Sequence, residues 1–149
     1  MKTTDNLTEA LMETKPEDVA SVLQEKKDAL FSEEKPFAAY MRKTIKSKGL
    51  KQQDVFLNAD IPEGYGYKLI AEEKHTRQRD VILRLCFGAG FTVEETQRAL
   101  KLAGLSPLYP RIERDAVLMV ALNQGIGSIS DVNQLLKEHK MDGLREISP

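Results

Sequence analysis

Apolar residues recur at helical spacing along most of this chain, and polar residues, prolines and glycines interrupt them at short intervals. This spacing places apolar side chains on one face of a helix. It predicts a short helix from about residue 6 and longer helices over residues 16–30, 36–48, 52–59, 63–72, 77–87, 93–103, 111–123 and 129–139. No stretch shows the sustained alternation that is typical of strands. The predicted fold class is therefore all-α.

Several helix ends carry recognisable signals. Residues 92–95, Thr-Val-Glu-Glu, match a capping box, and Ser128 precedes a helix with Asp131 three positions later. Thr76 is predicted to cap the helix over residues 77–87. Gly104 and Gly125 follow predicted helices, where glycine commonly ends the helical conformation. These signals divide the second half of the chain into two helical hairpins.

The two hairpins resemble each other at a spacing of 35 or 36 residues. Arg79-Asp80 matches Arg114-Asp115, and further matches are Gly90-Phe91 with Gly125-Ile126, Thr92 with Ser128, and Leu100-Lys101 with Leu136-Lys137. An internal repeat explains this pattern, and chance similarity between two amphipathic hairpins is the alternative. In a repeat, Asp80 and Asp115 hold equivalent positions, either as first-turn acids or in structural ion pairs.

Composition narrows the protein class. The chain has 149 residues, 41% of them hydrophobic and 30% charged. This fits a soluble globular protein of one domain, or of a small domain with an appendage. A single cysteine excludes a disulfide framework and a multi-cysteine zinc site. No apolar run approaches the roughly 20 residues of a membrane span, and the start of the chain lacks a signal-peptide pattern. We therefore expect a cytoplasmic protein.

The net charge of −1 is close to zero, but positive and negative charges are distributed unevenly along the chain. Residues 1–35 carry −4, residues 36–91 carry +4, and residues 92–149 carry −1. Within the middle third, the cations gather in residues 42–51 and 74–84. A polyanion, if one binds, is expected to bind there.

The sequence offers no catalytic constellation. His75 and His139 lack the spacing that sets two metal ligands on one helix face, so both are predicted to be surface histidines. Cys86 lies among aliphatic and aromatic residues, where a thiol acts as a small hydrophobe. The glycine pairs at residues 64–66 and 88–90 lack the lysine and the strand context of nucleotide-binding loops. We expect no enzyme activity, no cofactor and no metal.

Residues 50–62 and their surroundings resemble the phage-repressor-like (Xre-type) helix-turn-helix family. In that pattern a Gln opens the second helix, an aliphatic residue follows three positions later, and a turn leads to the recognition helix. Gln52, Val55, Asp60, Ile61 and Pro62 fall at those positions. The resemblance covers about residues 36–103 and implies a bacterial, DNA-binding transcriptional regulator with a recognition helix from residue 63.

Further segments resemble a set of Firmicute proteins described as Xre-type regulators. They are Tyr65-Gly66-Tyr67, residues 77–80, Glu95-Thr96-Gln97, residues 106–109 and Arg114-Asp115. This second resemblance implies the same class of regulator and no further mechanism.

Five positions differ from the family pattern. Asp60 replaces the turn glycine, Pro62 replaces the capping serine, Phe56 replaces a small residue of the second helix, and Gly66 replaces an inward aliphatic of the recognition helix. Glu63 is an acid near the start of the recognition helix, where it would face phosphates. A helical protein-interaction or adaptor module built on the same fold is therefore the alternative function.

The predicted organisation is an N-terminal helical arm over residues 1–35, a helix-turn-helix domain over residues 36–104, and a C-terminal hairpin over residues 105–149 packed on it. The resemblance assigns phosphate contacts to the start of the second helix, groove contacts to the recognition helix, and backbone anchoring to the residues after it. These candidates are Lys51, Gln52, Tyr65, Tyr67, Lys68, His75, Arg77 and Arg79. A homodimer formed through the arm or the hairpin, and a protein partner, are further possibilities.

Overall fold

The computed structural model describes residues 35–147, which form seven helices and no strand. The all-α prediction is thus confirmed for this part of the chain. The predicted N-terminal arm lies outside the described residues, apart from Lys35. The helices are α1 (Pro36–Ser47), α2 (Gln52–Ala59), α3 (Glu63–Ile70), α4 (Arg79–Gly88), α5 (Val93–Leu102), α6 (Glu113–Asn123) and α7 (Ile129–Glu138).

Every predicted helix boundary from residue 36 onward lies within two residues of the observed one. The capping box of α5 is present, because the Thr92 hydroxyl accepts a bond of 3.2 Å from Glu95 N and the Glu95 carboxylate accepts one of 2.9 Å from Thr92 N. The predicted cap at Thr76 is wrong. Its hydroxyl accepts from Gln78 N at 3.1 Å, which forms a turn before α4 and delays the helix to Arg79.

One hydrophobic core includes residues of all seven helices, with α4 at its centre. All eight residues from Val81 to Gly88 are buried, because α4 packs against α2, α5 and α7. Gly88 allows a close approach of α2, since a Cβ atom there would lie 2.6 Å from Val55 O. The Asn58 side chain adds a hydrogen bond of 3.0 Å to Gly88 O. The α2–α3 pair is therefore mounted on the most buried helix of the fold.

The two predicted hairpins are α4–α5 and α6–α7, and ion pairs link them reciprocally. The Arg79 guanidinium binds the Asp115 carboxylate through both terminal nitrogens. The Arg114 guanidinium binds the Asp80 carboxylate in the same way, at 3.0 and 2.9 Å. Each arginine therefore binds the aspartate of the other hairpin.

The loops after the hairpins repeat this equivalence. Tyr109 N donates to Asp115 at 2.9 Å, and Arg145 N, 36 residues later, donates to Asp80 at 2.9 Å. The Gln97 amide binds the backbone of Leu108, and Asn133 accepts in the same way from Leu144 N at 2.7 Å, again 36 residues later. Equivalent residues of the two hairpins thus make equivalent bonds, as an internal repeat requires.

Candidate functional site

The helix pair α2–α3 consists of two eight-residue helices separated by Asp60, Ile61 and Pro62. Asp60 has φ 53° and ψ 52°, the left-handed conformation that glycine adopts most easily. Asp tolerates this conformation better than most residues, because its short polar side chain makes local hydrogen bonds. Ile61 N donates to Phe56 O at 3.0 Å, and the Ile61 side chain is buried. The tight turn therefore forms without the glycine of the family pattern.

Phe56 and Gly66 form the contact between α2 and α3. Both residues are buried, and a Cβ atom on Gly66 would lie 2.5 Å from Phe56 Cδ1. The Phe56 ring thus occupies space that only a glycine leaves free. The two departures from the family pattern compensate each other, since the large side chain is on α2 and the small residue is on α3.

The two tyrosines of α3 occupy different environments. Tyr67 is 42% exposed and packs edge-to-face on Phe56, with ring centroids 4.8 Å apart. The pKa of the Tyr67 hydroxyl is raised, mainly by partial desolvation and to a smaller extent by the nearby Glu63 carboxylate. Tyr65 is half-buried against the core, and Lys74 Nζ lies 5.9 Å from the centre of its ring. Tyr67 is therefore the more accessible of the two.

Four of the predicted cationic positions around this pair are exposed. Lys51 precedes α2 and Lys68 lies in the last turn of α3, whereas His75 and Arg77 lie in the connection to α4. Gln52, the first residue of α2, is half-buried. All of these side chains except Gln52 are accessible to a large ligand. Exposed acids accompany them at Asp54, Asp60 and Glu63.

Arg79 differs from the other predicted DNA contacts, because its guanidinium has partners within the fold. It is half-buried, binds Asp115 with both terminal nitrogens, and donates a further bond of 3.2 Å to Pro107 O. These bonds hold it between the hairpins. We therefore assign Arg79 to the link between the hairpins.

Arg84 also belongs to the basic segment 74–84, but only 3% of it is exposed. Its guanidinium donates to Arg145 O at 2.8 Å, to Leu144 O at 3.1 Å and to Ala59 O at 3.3 Å. It thereby ties the last residue of α2 to the loop after α7. The surface charge of the middle third is correspondingly smaller than the sequence suggests. The sequence contains a signal for this role of Arg84, because it is a charged residue within an otherwise apolar run.

Cys86 and His139, which were considered for catalysis, lie in environments typical of structural residues. Burial raises the pKa of the Cys86 thiol to about 12, so the nucleophilic thiolate is scarce at neutral pH. His139 is exposed at the end of α7, with Nδ1 2.9 Å from Leu135 O. Within residues 35–147, no three His, Cys, Asp or Glu side chains cluster as metal ligands would. Among the described helices, none combines the length and hydropathy of a membrane span.

The sequence analysis did not assign Leu57, which is 80% exposed on α2. The sequence contains a signal for this exposure, because Leu57 falls outside the apolar face formed by Val55, Phe56 and Ala59. It borders a groove of about 880 Å³ between the end of α2 and the start of α7.

Comparisons with protein-family models, curated proteins and solved structures found no match to this chain. The repressor-like assignment accordingly stays a prediction from the sequence.

Proposed function

We propose that this chain is a non-catalytic, sequence-specific DNA-binding regulator of transcription, with α2 and α3 as a helix-turn-helix and α3 as the recognition helix. The observation that carries the proposal is the division of α3 into two sides. Gly66, Leu69 and Ile70 are buried against the rest of the protein. The exposed positions are Glu63, Gly64, Tyr67 and Lys68, which form one face of the helix.

This division matches how a helix enters the major groove. A recognition helix presents one face, chiefly near its N-terminus, to the base edges, while the preceding helix crosses the phosphate backbone. The exposed face of α3 includes its first two residues. Lys51 and Gln52 at the start of α2 supply phosphate contacts in this arrangement, and Lys68, His75 and Arg77 supply them at the far end of α3.

Glu63 gives the proposal a specific consequence for sequence preference. A carboxylate is repelled by phosphates, but it accepts a hydrogen bond from the N4 amino group of cytosine. Tyr67, one turn later on the same face, offers a ring for apolar contact with a thymine methyl group. The preferred site therefore contains a cytosine opposite Glu63.

Selection from a random duplex library at low salt tests the proposal. We expect enrichment of one motif by the full chain, and loss of the cytosine preference in Glu63→Gln. A matched control is Glu94→Gln, since Glu94 is also exposed in the first turn of a helix but lies on α5. Recovery of unenriched sequence in repeated selections would rule out specific DNA binding.

Leu57 favours a second candidate function, a protein-interaction module. Leu57 is 80% exposed beside the groove between α2 and α7, and a protein partner that covers it would remove this apolar side chain from water. Leu57→Ser separates the candidates. A regulator that contacts DNA through α3 keeps its affinity for the selected duplex in this variant, whereas an adaptor loses affinity for its protein partner.

A further inference from the structure

The exposed large apolar side chains of residues 35–147 lie in two places. Leu57 and Tyr67 belong to the α2–α3 pair. The other three, Tyr109, Ile112 and Val120, are 53%, 51% and 52% exposed and lie on or just before α6. Ala116 and Val120 are four residues apart and share one face of α6, and Ile112, four residues before Ala116, is the N-cap residue of the helix. We call these four residues, Tyr109, Ile112, Ala116 and Val120, the α6 stripe.

The repeat explains two of the four residues of the α6 stripe. Ala116 and Val120 correspond, at a spacing of 35, to Val81 and Leu85 of α4, which are buried. The corresponding face of α4 also includes Gly88, against which α2 packs. Among residues 35–147, no second helix covers the α6 stripe in the way that α2 covers α4. Within the described part of the chain, the second hairpin thus keeps an apolar face that no helix covers.

The pattern of the stripe is symmetric about a small residue. Ile112 lies four positions before Ala116, Val120 lies four positions after it, and the two β-branched side chains are almost equally exposed. A twofold interface requires that residue i contacts residue j and that j contacts i. Two antiparallel α6 helices that cross at Ala116 satisfy this requirement, because each Ile112 then meets Val120 of the other copy. The small Ala116 lets the helices approach closely.

Charge favours a second copy over the acidic N-terminal segment as the covering element. The exposed charges beside the stripe are Arg111 and Glu113, which cancel, and both lie at the start of α6. A crossing at Ala116 places them opposite the uncharged Ala121 and Met119 of the other copy, so antiparallel pairing opposes no like charges. Residues 1–35 carry −4, and a neutral face offers this segment no electrostatic attraction.

We propose that the α6 stripe is a homodimer interface, in which two copies of this chain pair their α6 helices antiparallel about a twofold axis near Ala116. The inference goes beyond DNA binding and does not depend on it.

Sedimentation velocity of the full chain over a range of concentrations tests this interface. We expect a dimer for the wild type, and a dimer Kd at least about tenfold higher for Val120→Lys, because two lysines would be buried in the interface. Leu57→Lys is the matched control, since it charges an exposed apolar residue outside the stripe and should leave the dimer intact. Circular dichroism should show all three proteins folded, because both positions are solvent-accessible.

Disulfide trapping provides a second measurement on the same chain. Cys86, the one native cysteine, is buried, so a cysteine introduced at Ala116 is the accessible thiol. Near the twofold axis, the introduced cysteine lies close to the same cysteine of the other copy. Ala116→Cys should therefore oxidise to a covalent dimer at far higher yield than Leu57→Cys. A monomeric wild type at every concentration, an unchanged Val120→Lys dimer, or equal trapping at both positions would overturn the interface. A monomer would point to residues 1–34 as the cover.

Discussion

Arg79 binds the side chain of Asp115, which has no solvent exposure, although the two residues are 36 positions apart and belong to different hairpins. The mirror pair, Arg114 with Asp80, makes the same bonds with a carboxylate that is 17% exposed. Each carboxylate also accepts a backbone N–H, from Tyr109 and Arg145 respectively. The two pairs therefore match in hydrogen bonding and differ in burial.

That difference predicts unequal costs of removing each aspartate. Asp115→Ala removes a fully buried carboxylate that accepts hydrogen bonds from Arg79 and from Tyr109 N, which we expect to lower the free energy of unfolding by about 3 kcal/mol. Asp80→Ala should cost less, about 1 to 2 kcal/mol, because water reaches its position. Urea denaturation of the two variants measures both values. Equal losses would show that burial does not set the strength of these pairs.

The surroundings of Asp80 also predict a dependence of stability on pH. Burial tends to raise the pKa of this carboxyl, but its hydrogen bonds from Arg114 and Arg145 N outweigh burial and lower the pKa. A group whose pKa is lower in the folded state stabilises the fold above its unfolded pKa of about 3.9. This contribution is lost as the pH falls through the folded value.

Wild-type protein should therefore lose stability as the pH falls below about 4, and Asp80→Asn should lose less over the same interval. Urea midpoints at a series of pH values give the comparison. Identical slopes for the two proteins below pH 4 would remove Asp80 from the account of acid denaturation.

The contact between Phe56 and Gly66 predicts a coupled pair of substitutions. Gly66→Ala should lower the free energy of unfolding by about 1 to 3 kcal/mol, because the new methyl group meets the ring. The same change should cost less in a Phe56→Leu background, where space is available. Gly64→Ala is the control. Its Cβ meets no atom within 4 Å, so it should leave stability unchanged or raise it by up to about 1 kcal/mol.

A double-mutant cycle on Phe56 and Gly66 gives the coupling free energy directly. A coupling near zero, or equal effects of alanine at Gly64 and Gly66, would contradict the view that the two departures from the family pattern compensate each other.

Local features of the sequence predicted the helices well, and contacts between helices less well. Thr92 and Ser128 lie beside the groups that they cap, so adjacent residues contain enough information. Thr76 shows the limit of such local signals, because its hydroxyl accepts from Gln78 N and makes a turn instead of a cap. Phe56 and Gly66 were each recognised as departures, but their compensation depends on contact across the turn.

The repeat illustrates the same limit at longer range. The spacing of 35 shows that Arg79 and Arg114 are equivalent, but it does not show that each binds the aspartate of the other hairpin. That exchange depends on how the hairpins pack. Packing likewise buries Arg84, which the charge pattern counted as a surface cation. Tertiary contacts thus remove Arg79 and Arg84 from the predicted basic surface, whereas the lysines and arginine of α1 and the cations around α2 and α3 stay largely exposed.

The salt dependence of duplex binding is the sharpest test of DNA recognition by α2 and α3. Wild type should bind the selected duplex with an affinity that falls steeply with salt, and Lys51→Ala/Lys68→Ala should reduce the slope of log affinity against log salt by about 2, which is roughly 0.9 per lost phosphate contact. Lys101→Ala/Lys137→Ala removes two exposed lysines from the ends of α5 and α7 and should keep the wild-type slope. Equal slopes for all three proteins, or no binding by the wild type, would contradict the account.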